Sequence, residues 1–171
     1  TGQRLGKSYH FVEFARRLSD RGLACIRFDQ AGCGESSGAF VELTIPQMVD
    51  DTRTMWRWAG EQAWCDPARV GLVGVSLGAL PAAVVDGEAA GRALVLWAPV
   101  YDMPRVFART AKTGLRALLE HQGWAPYRGL KVGAAFVEQL AAVDAAATLT
   151  TGDSTLLVCH SQMDEVVPVA E

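Results

Sequence analysis

Long apolar runs are missing from this 171-residue chain, although half of it is hydrophobic. None reaches the ~18 residues a membrane-spanning helix needs. Basic runs are missing too: 16 Lys and Arg stand against 19 Asp and Glu, for a net charge of -3. That balance argues against nucleic acid or an anionic membrane as a partner. Cysteine is sparse, at Cys25, Cys33, Cys65 and Cys159, with no CxxC pair and no metal-ligand spacing. The thiols therefore read as reduced, in a cytoplasmic setting, with no metal and no other cofactor implied. No signal peptide is visible, but the chain opens on Thr1 rather than methionine, which leaves an upstream targeting segment open. Internal repeats and low-complexity tracts are absent.

What is there alternates. Phe11, Phe14, Ala15 and Leu18 recur at helical spacing and predict an amphipathic helix over roughly Tyr9 to Arg21, with Gly22 as its C-cap. "LACIRFD", Leu23 to Asp29, reads as a strand, and "QAGCGESSG", Gln30 to Gly38, as a glycine- and serine-rich loop. Thr44 is the expected N-cap of a second helix with Pro46 in its first turn. Strands are expected within Asp66 to Val75, covered on both faces, within Arg92 to Val100, and over Thr155 to His160. The segment Tyr101 to Ser154 is too long for an ordinary crossover. It carries helical patterns around Val106 to Leu119 and Ala134 to Ala142, with a turn-like "GWAPYRG" between them. The order implies an α/β fold, a mostly parallel sheet with helices on both faces. The expected domain is single, with a core over 1–100 and 151–171 and a helical, cap-like insertion over about 101–150.

The chemistry concentrates at "VGLVGVSLGAL", Val70 to Leu80. Gly74-Val75-Ser76-Leu77-Gly78 has the G-x-S-x-G form, between an apolar strand and a predicted helix. In that context the serine sits on a strained turn, its hydroxyl above the carboxyl edge of the sheet. The next amide, that of Leu77, points at a developing oxyanion. Pro81 should kink the following helix slightly.

Several segments in order resemble one family. "RFDQAGCGESSG" resembles an RFDxxGxGxSxG loop, and "DPARVGLVGVSLGA" a DxxRVGLxGxSxGG stretch with Ala79 in place of the commoner glycine. "LWAPV" follows, and "LLVCHSQMDEVVP" resembles a strand-then-acid segment, often HGxxDxxVP, with Ser161 where glycine is usual. The chain thus resembles the α/β-hydrolase superfamily, and within it the bacterial cinnamoyl/feruloyl-esterase-like acyl-ester hydrolases. The resemblance implies Ser76 as nucleophile, Leu77 as oxyanion donor and Asp164 as the triad acid. Asp153 and Asp102 are weaker candidates for the acid. Asp29 and Glu35 are expected to order the glycine-rich loop.

In such a triad the histidine follows the acid in chain order, and none does here. His160 is expected to be structural, His10 structural or on the surface, and His121, in the insertion, could approach the site but by position is a poor fit to the base. The expectation is therefore a fold incomplete at both termini, its base beyond the C-terminus and its second oxyanion donor before Thr1. The expected reaction is hydrolysis of a small-molecule acyl ester through an acyl-serine. A thioesterase, acyltransferase or peptidase would use the same triad, and a catalytically inactive domain used for binding is the reading from another class. Trp97, Tyr101, Phe107, Trp124 and Tyr127 are candidates to line an acyl or aromatic pocket, with packing of the insertion as the plainer role.

Overall fold

A computed structural model describes residues 4–89, 93–100, 102, 104–106, 114–127, 129–143 and 154–169. Helix α1, His10–Ser19, ends two residues before the predicted Arg21, with Asp20 rather than Gly22 as its C-cap. Gly22 takes a positive φ of 75° and its N–H reaches the Ser19 carbonyl at 2.9 Å. Helix α2, Ile45–Gly60, starts at Thr44, whose hydroxyl accepts the Gln47 N–H at 3.2 Å, and buries Ile45, Met48, Val49, Thr52 and Ala59.

Strand β1, Gly71–Val75, feeds helix α3, Ala79–Ala89, through a short 3-10 turn over Ser76–Gly78. Pro81 falls in the first turn of α3, where a backbone N–H has no partner within the helix. Strand β2, Ala93–Trp97, returns parallel to β1, pairing Leu72 with Leu94 and Val75 with Trp97. Strand β5, Thr155–Cys159, lies parallel on the far side of β2, with Cys159 opposite Trp97. The sheet order is β1-β2-β5. Strand alternation turns Leu72, Leu94 and Leu96 to α3, where they pack on Ala79, Ala82 and Ala83. The opposite face is more open than the apolar run of β1 suggests: Val73 is 44 %, Trp97 43 % and Leu157 54 % exposed.

The chain between β2 and β5 supplies helix α4, Leu115–Gln122, a hairpin of β3, Trp124–Tyr127, with β4, Leu130–Gly133, and helix α5, Ala134–Ala142. Helix α5 matches its predicted span. Three local readings differ. The helical pattern predicted to Leu119 includes α4, which follows Gly114 at φ 89° and runs on to Gln122; residues 107–113 lie outside the described residues. "GWAPYRG" holds a strand at Trp124–Tyr127, with the turn only at its end, where Gly129 takes φ 84°. The hairpin tolerates Pro126 because both strands of a two-stranded ribbon are edges. Leu23 to Asp29 forms no strand among the described residues. Its apolar residues satisfy the pattern, but a strand is defined by a ladder partner and no described segment supplies one.

The main core joins the segment between β2 and β5 to the rest. Val132, Phe136 and Leu140 pack in one cluster with Leu43, Ile45 and Met48 of the α2 region, Leu80 of α3, Val100 and Val167. A hydrogen bond reinforces this seam: the Ile45 N–H donates to Gln139 Oε1 of α5 at 2.8 Å.

Candidate active site

Ser76 is one of four non-glycine residues with positive φ among the described residues, at 53°, directly after the extended Val75. That left-handed conformation costs an ordinary residue roughly 1–3 kcal/mol and marks a sharp turn held by its surroundings. Gly74 lets it close. A Cβ there would stand 2.6 Å from Ala79 Cα, 2.7 Å from the Gly78 carbonyl oxygen and 2.9 Å from Ala82 Cβ. Gly78 differs, since a Cβ there meets nothing within 4 Å. The two glycines of the motif are therefore not equivalent, and only the first is a packing requirement. Leu77 follows in the 3-10 turn, where an amide lacks an acceptor within the helix and is available to an oxyanion. Its side chain rests on the main core, as do those of Phe40 and Tyr127.

The register carries the second candidate to the same edge. Val75, Trp97 and Cys159 align at the carboxyl ends of β1, β2 and β5. Ser76 and the loop bearing Asp164 both leave from that edge, two strand spacings or about 10 Å apart at the strand ends. Asp164 is 21 % exposed, and its Oδ1 accepts the N–H groups of Val166 and Val167, both at 2.9 Å. Oδ2 is left out of those bonds and lies 3.8 Å from His160 Nε2, too far for a hydrogen bond. Ser161, where the family pattern has glycine, has a use of its own: its hydroxyl accepts the Met163 N–H at 3.1 Å and tightens the turn.

The glycine-rich loop lies beyond a separate anchor. Asp29 accepts the Arg4 N–H at 2.6 Å and the Glu35 N–H at 3.2 Å, and pairs with the Arg4 guanidinium, which also reaches Glu35. A Cβ on Gly34 would collide with the Asp29 carboxylate. Burial alone would raise the Asp29 pKa, but the Arg4 and Glu35 amides and the Arg4 charge together hold it below the ordinary carboxylate value. Asp29 thus orders the loop, as its position in the sequence implies. Sequence reasoning missed Ala98, at φ 45°, whose N–H donates to the Cys159 carbonyl at 2.7 Å and ties the end of β2 to that of β5. Alanine carries no turn signal, so nothing in the sequence pointed to it.

The serine aminopeptidase S33 family model matches residues 5–130. The chain belongs to the S33 family of α/β-hydrolases. That match takes in Ser76 and Leu77 and stops short of Asp164. An uncharacterised protein of Mycobacterium tuberculosis is 30% identical over 160 residues, 93% of this chain and 52% of its own length. A 31.7 kDa Escherichia coli protein from the traX-finO intergenic region is 38% identical over 65 residues, 38% of this chain and 23% of its own length. This S33 chain thus spans about half of the mycobacterial relative. Among solved structures, Est1E of Butyrivibrio proteoclasticus with ferulic acid bound superposes at a TM-score of 0.82, with 20% identity, over 98% of this chain and 69% of that one. A putative hydrolase of Agrobacterium vitis S4 gives 0.73, with 22% identity, over 94% and 65%. At these identities the likeness is one of fold.

The aromatic candidates of the S33 chain scatter. Tyr127 packs against the main core. Trp124 lies in the hairpin with the Lys131 ammonium 4.3 Å from its ring centroid. Trp97 is on the sheet face turned away from α3. Tyr101, Phe107 and Asp153 lie outside the described residues. Asp102 is occupied as a local cap, accepting the Arg105 N–H at 2.9 Å. His10 begins α1 and His121 ends α4, both exposed, while His160 is turned inward to the Val167 carbonyl at 2.6 Å. None of the three is hydrogen-bonded to Ser76 among the described residues.

Proposed function

We propose that the protein is a serine hydrolase of small carboxylic esters. Ser76 is the nucleophile, the Leu77 amide an oxyanion donor and Asp164 the acid that orients a histidine base. The observation that carries this reading is the positive φ of Ser76 in a strand–turn–helix whose first glycine admits no Cβ. Relaxed surface serines have no reason to bear that strain. The base of such a triad is a histidine that follows the acid in chain order.

The chemistry follows. Ser76 Oγ attacks the ester carbonyl carbon as its proton passes to the imidazole, and the carbonyl oxygen gains the negative charge that the Leu77 N–H stabilises. Collapse breaks the C–O bond to the alcohol, which leaves with the proton from the imidazolium. Water, deprotonated by the same imidazole, then attacks the acyl-serine and releases the acid and free Ser76. Asp164 holds the imidazole through Oδ2, since Oδ1 already serves its own loop.

A second reading is favoured by the S33 match, whose family is described as serine aminopeptidases. The same residues would then cleave an N-terminal peptide bond. Assay of the full-length protein on p-nitrophenyl esters of varied chain length, on feruloyl esters and on aminoacyl p-nitroanilides separates the two. Ser76→Ala should lower turnover by about 10⁴- to 10⁶-fold and abolish labelling by a fluorophosphonate probe. Asp164→Asn should cost about 10⁴-fold in kcat with little change in substrate binding. Labelling at another serine, or turnover unchanged in Ser76→Ala, would overturn the assignment. Neither turnover nor labelling in the wild type would leave the inactive binding domain as the better reading.

A further inference from the structure

We infer that His160 is a positioning residue, a latch that closes the loop of the acid and aims its carboxylate; this rests on Asp164 being the acid of the proposed reaction. The loop from 160 to 167 is fastened at one point, Val167, in three ways. Its side chain lies in the main core, 2 % exposed. Its N–H donates to Asp164 Oδ1 at 2.9 Å. Its carbonyl lies 2.6 Å from His160 Nε2.

A carbonyl oxygen only accepts, so Nε2 carries the hydrogen and the tautomer follows from the contact. The ring is 11 % exposed, packed at the foot of the loop as the chain leaves β5. The bond sets the backbone of Val167 from its carbonyl side, while Asp164 Oδ1 holds it from its amide side. Without the latch, Val167 keeps its buried side chain but loses the anchor on its carbonyl, which steadies the peptide that the Asp164 carboxylate grips from the other side. The amide pair on Oδ1 then loosens, and the carboxylate loses its fixed direction. The same ring stays 3.8 Å from Oδ2, so it steadies the carboxylate without occupying the oxygen left for a base. With Nε2 committed to Val167, His160 is also poorly placed to be the base itself.

The test is a set of variants in the full-length protein, read as kcat and KM on a short-chain p-nitrophenyl ester, with thermal unfolding as a fold control. His160→Leu removes the donor and should lower kcat by about 10- to 100-fold at nearly constant KM, the size expected when a catalytic group is misplaced by an ångström or less. His160→Gln keeps an N–H donor at similar reach and should recover kcat to within a few-fold of wild type. In an Asp164→Asn background, His160→Leu should cost nothing more, because its effect passes through the carboxylate already removed. A folded His160→Leu with wild-type kcat overturns the latch. So does a His160→Gln as impaired as His160→Leu, or a loss that multiplies with Asp164→Asn. If His160→Leu does not fold, the ratio of His160→Gln to wild type, with and without Asp164→Asn, decides by the same criteria. An Asp164→Asn variant that is itself near wild type points instead to failure of the acid assignment.

Discussion

The strain at Ser76 is permitted by one atom that is not there, the Cβ of Gly74. Gly74→Ala would drive a methyl to 2.6 Å from the Ala79 backbone, so strand and helix must separate. Overpacking of this kind costs about 1–3 kcal/mol. Fluorophosphonate labelling of Ser76 should fall with it, since the turn that presents the hydroxyl opens. Gly78→Ala faces open space and an ordinary φ, and should stay within about 0.5 kcal/mol of wild type with labelling retained. Parallel thermal unfolding and labelling of the two variants checks the contrast. From the sequence the two glycines look alike; only their neighbours across the turn separate them.

At the scale of elements, two ties between distant segments carry measurable consequences. Asp29 binds Arg4 to the glycine-rich loop, and its pKa is depressed in the folded protein. A depressed carboxylate contributes stability that is present above its unfolded value, near pH 4, and is lost as pH falls through the lower folded value. Asp29→Asn should therefore lower the melting temperature at pH 7 and flatten its decline below about pH 4, as a series of melts from pH 7 to pH 3 would record. The second tie is Gln139 on α5, which accepts the first amide of α2. Gln139→Ala leaves that amide to water or unpaired, at a cost of about 1 kcal/mol. For a domain of this size that is a drop of about 2–4 °C in melting temperature. The helices themselves were legible locally: Thr44 caps α2 and α5 spans its predicted residues, though α1 is capped by Asp20 rather than Gly22. The strands were less so. The strand-like Leu23 to Asp29 lacks a described ladder partner, while "GWAPYRG" finds one in β4.

Across the whole molecule, the segment between β2 and β5, which we read as an insertion, shares its core with the elements that bear the candidate site. Phe136 of α5, Leu80 of α3 and Val167 beside Asp164 belong to one cluster. We propose that the insertion melts with the rest rather than as a separate lid. Phe136, 7 % exposed, is the residue to test. Phe136→Ala should cost about 3–5 kcal/mol and lower a single transition seen alike by calorimetry and far-ultraviolet circular dichroism. Two resolved transitions, or a melt unchanged in the variant, would mean that the insertion stands apart.

The α/β class and the sharp turn at Ser76 follow from the chain's own text, because helix periodicity, caps and the G-x-S-x-G turn are properties of neighbouring residues. Asp164, as the candidate acid, was legible through its motif. What gives it one tied and one open oxygen was not, because that depends on where Val166 and Val167 return their amides and where His160 points. The same holds for the strained Ala98, for Gln139 reaching across 94 residues to α2, and for the exposed face of Val73, Trp97 and Leu157. Each is a meeting of segments far apart in the chain, and no local pattern encodes which surfaces meet.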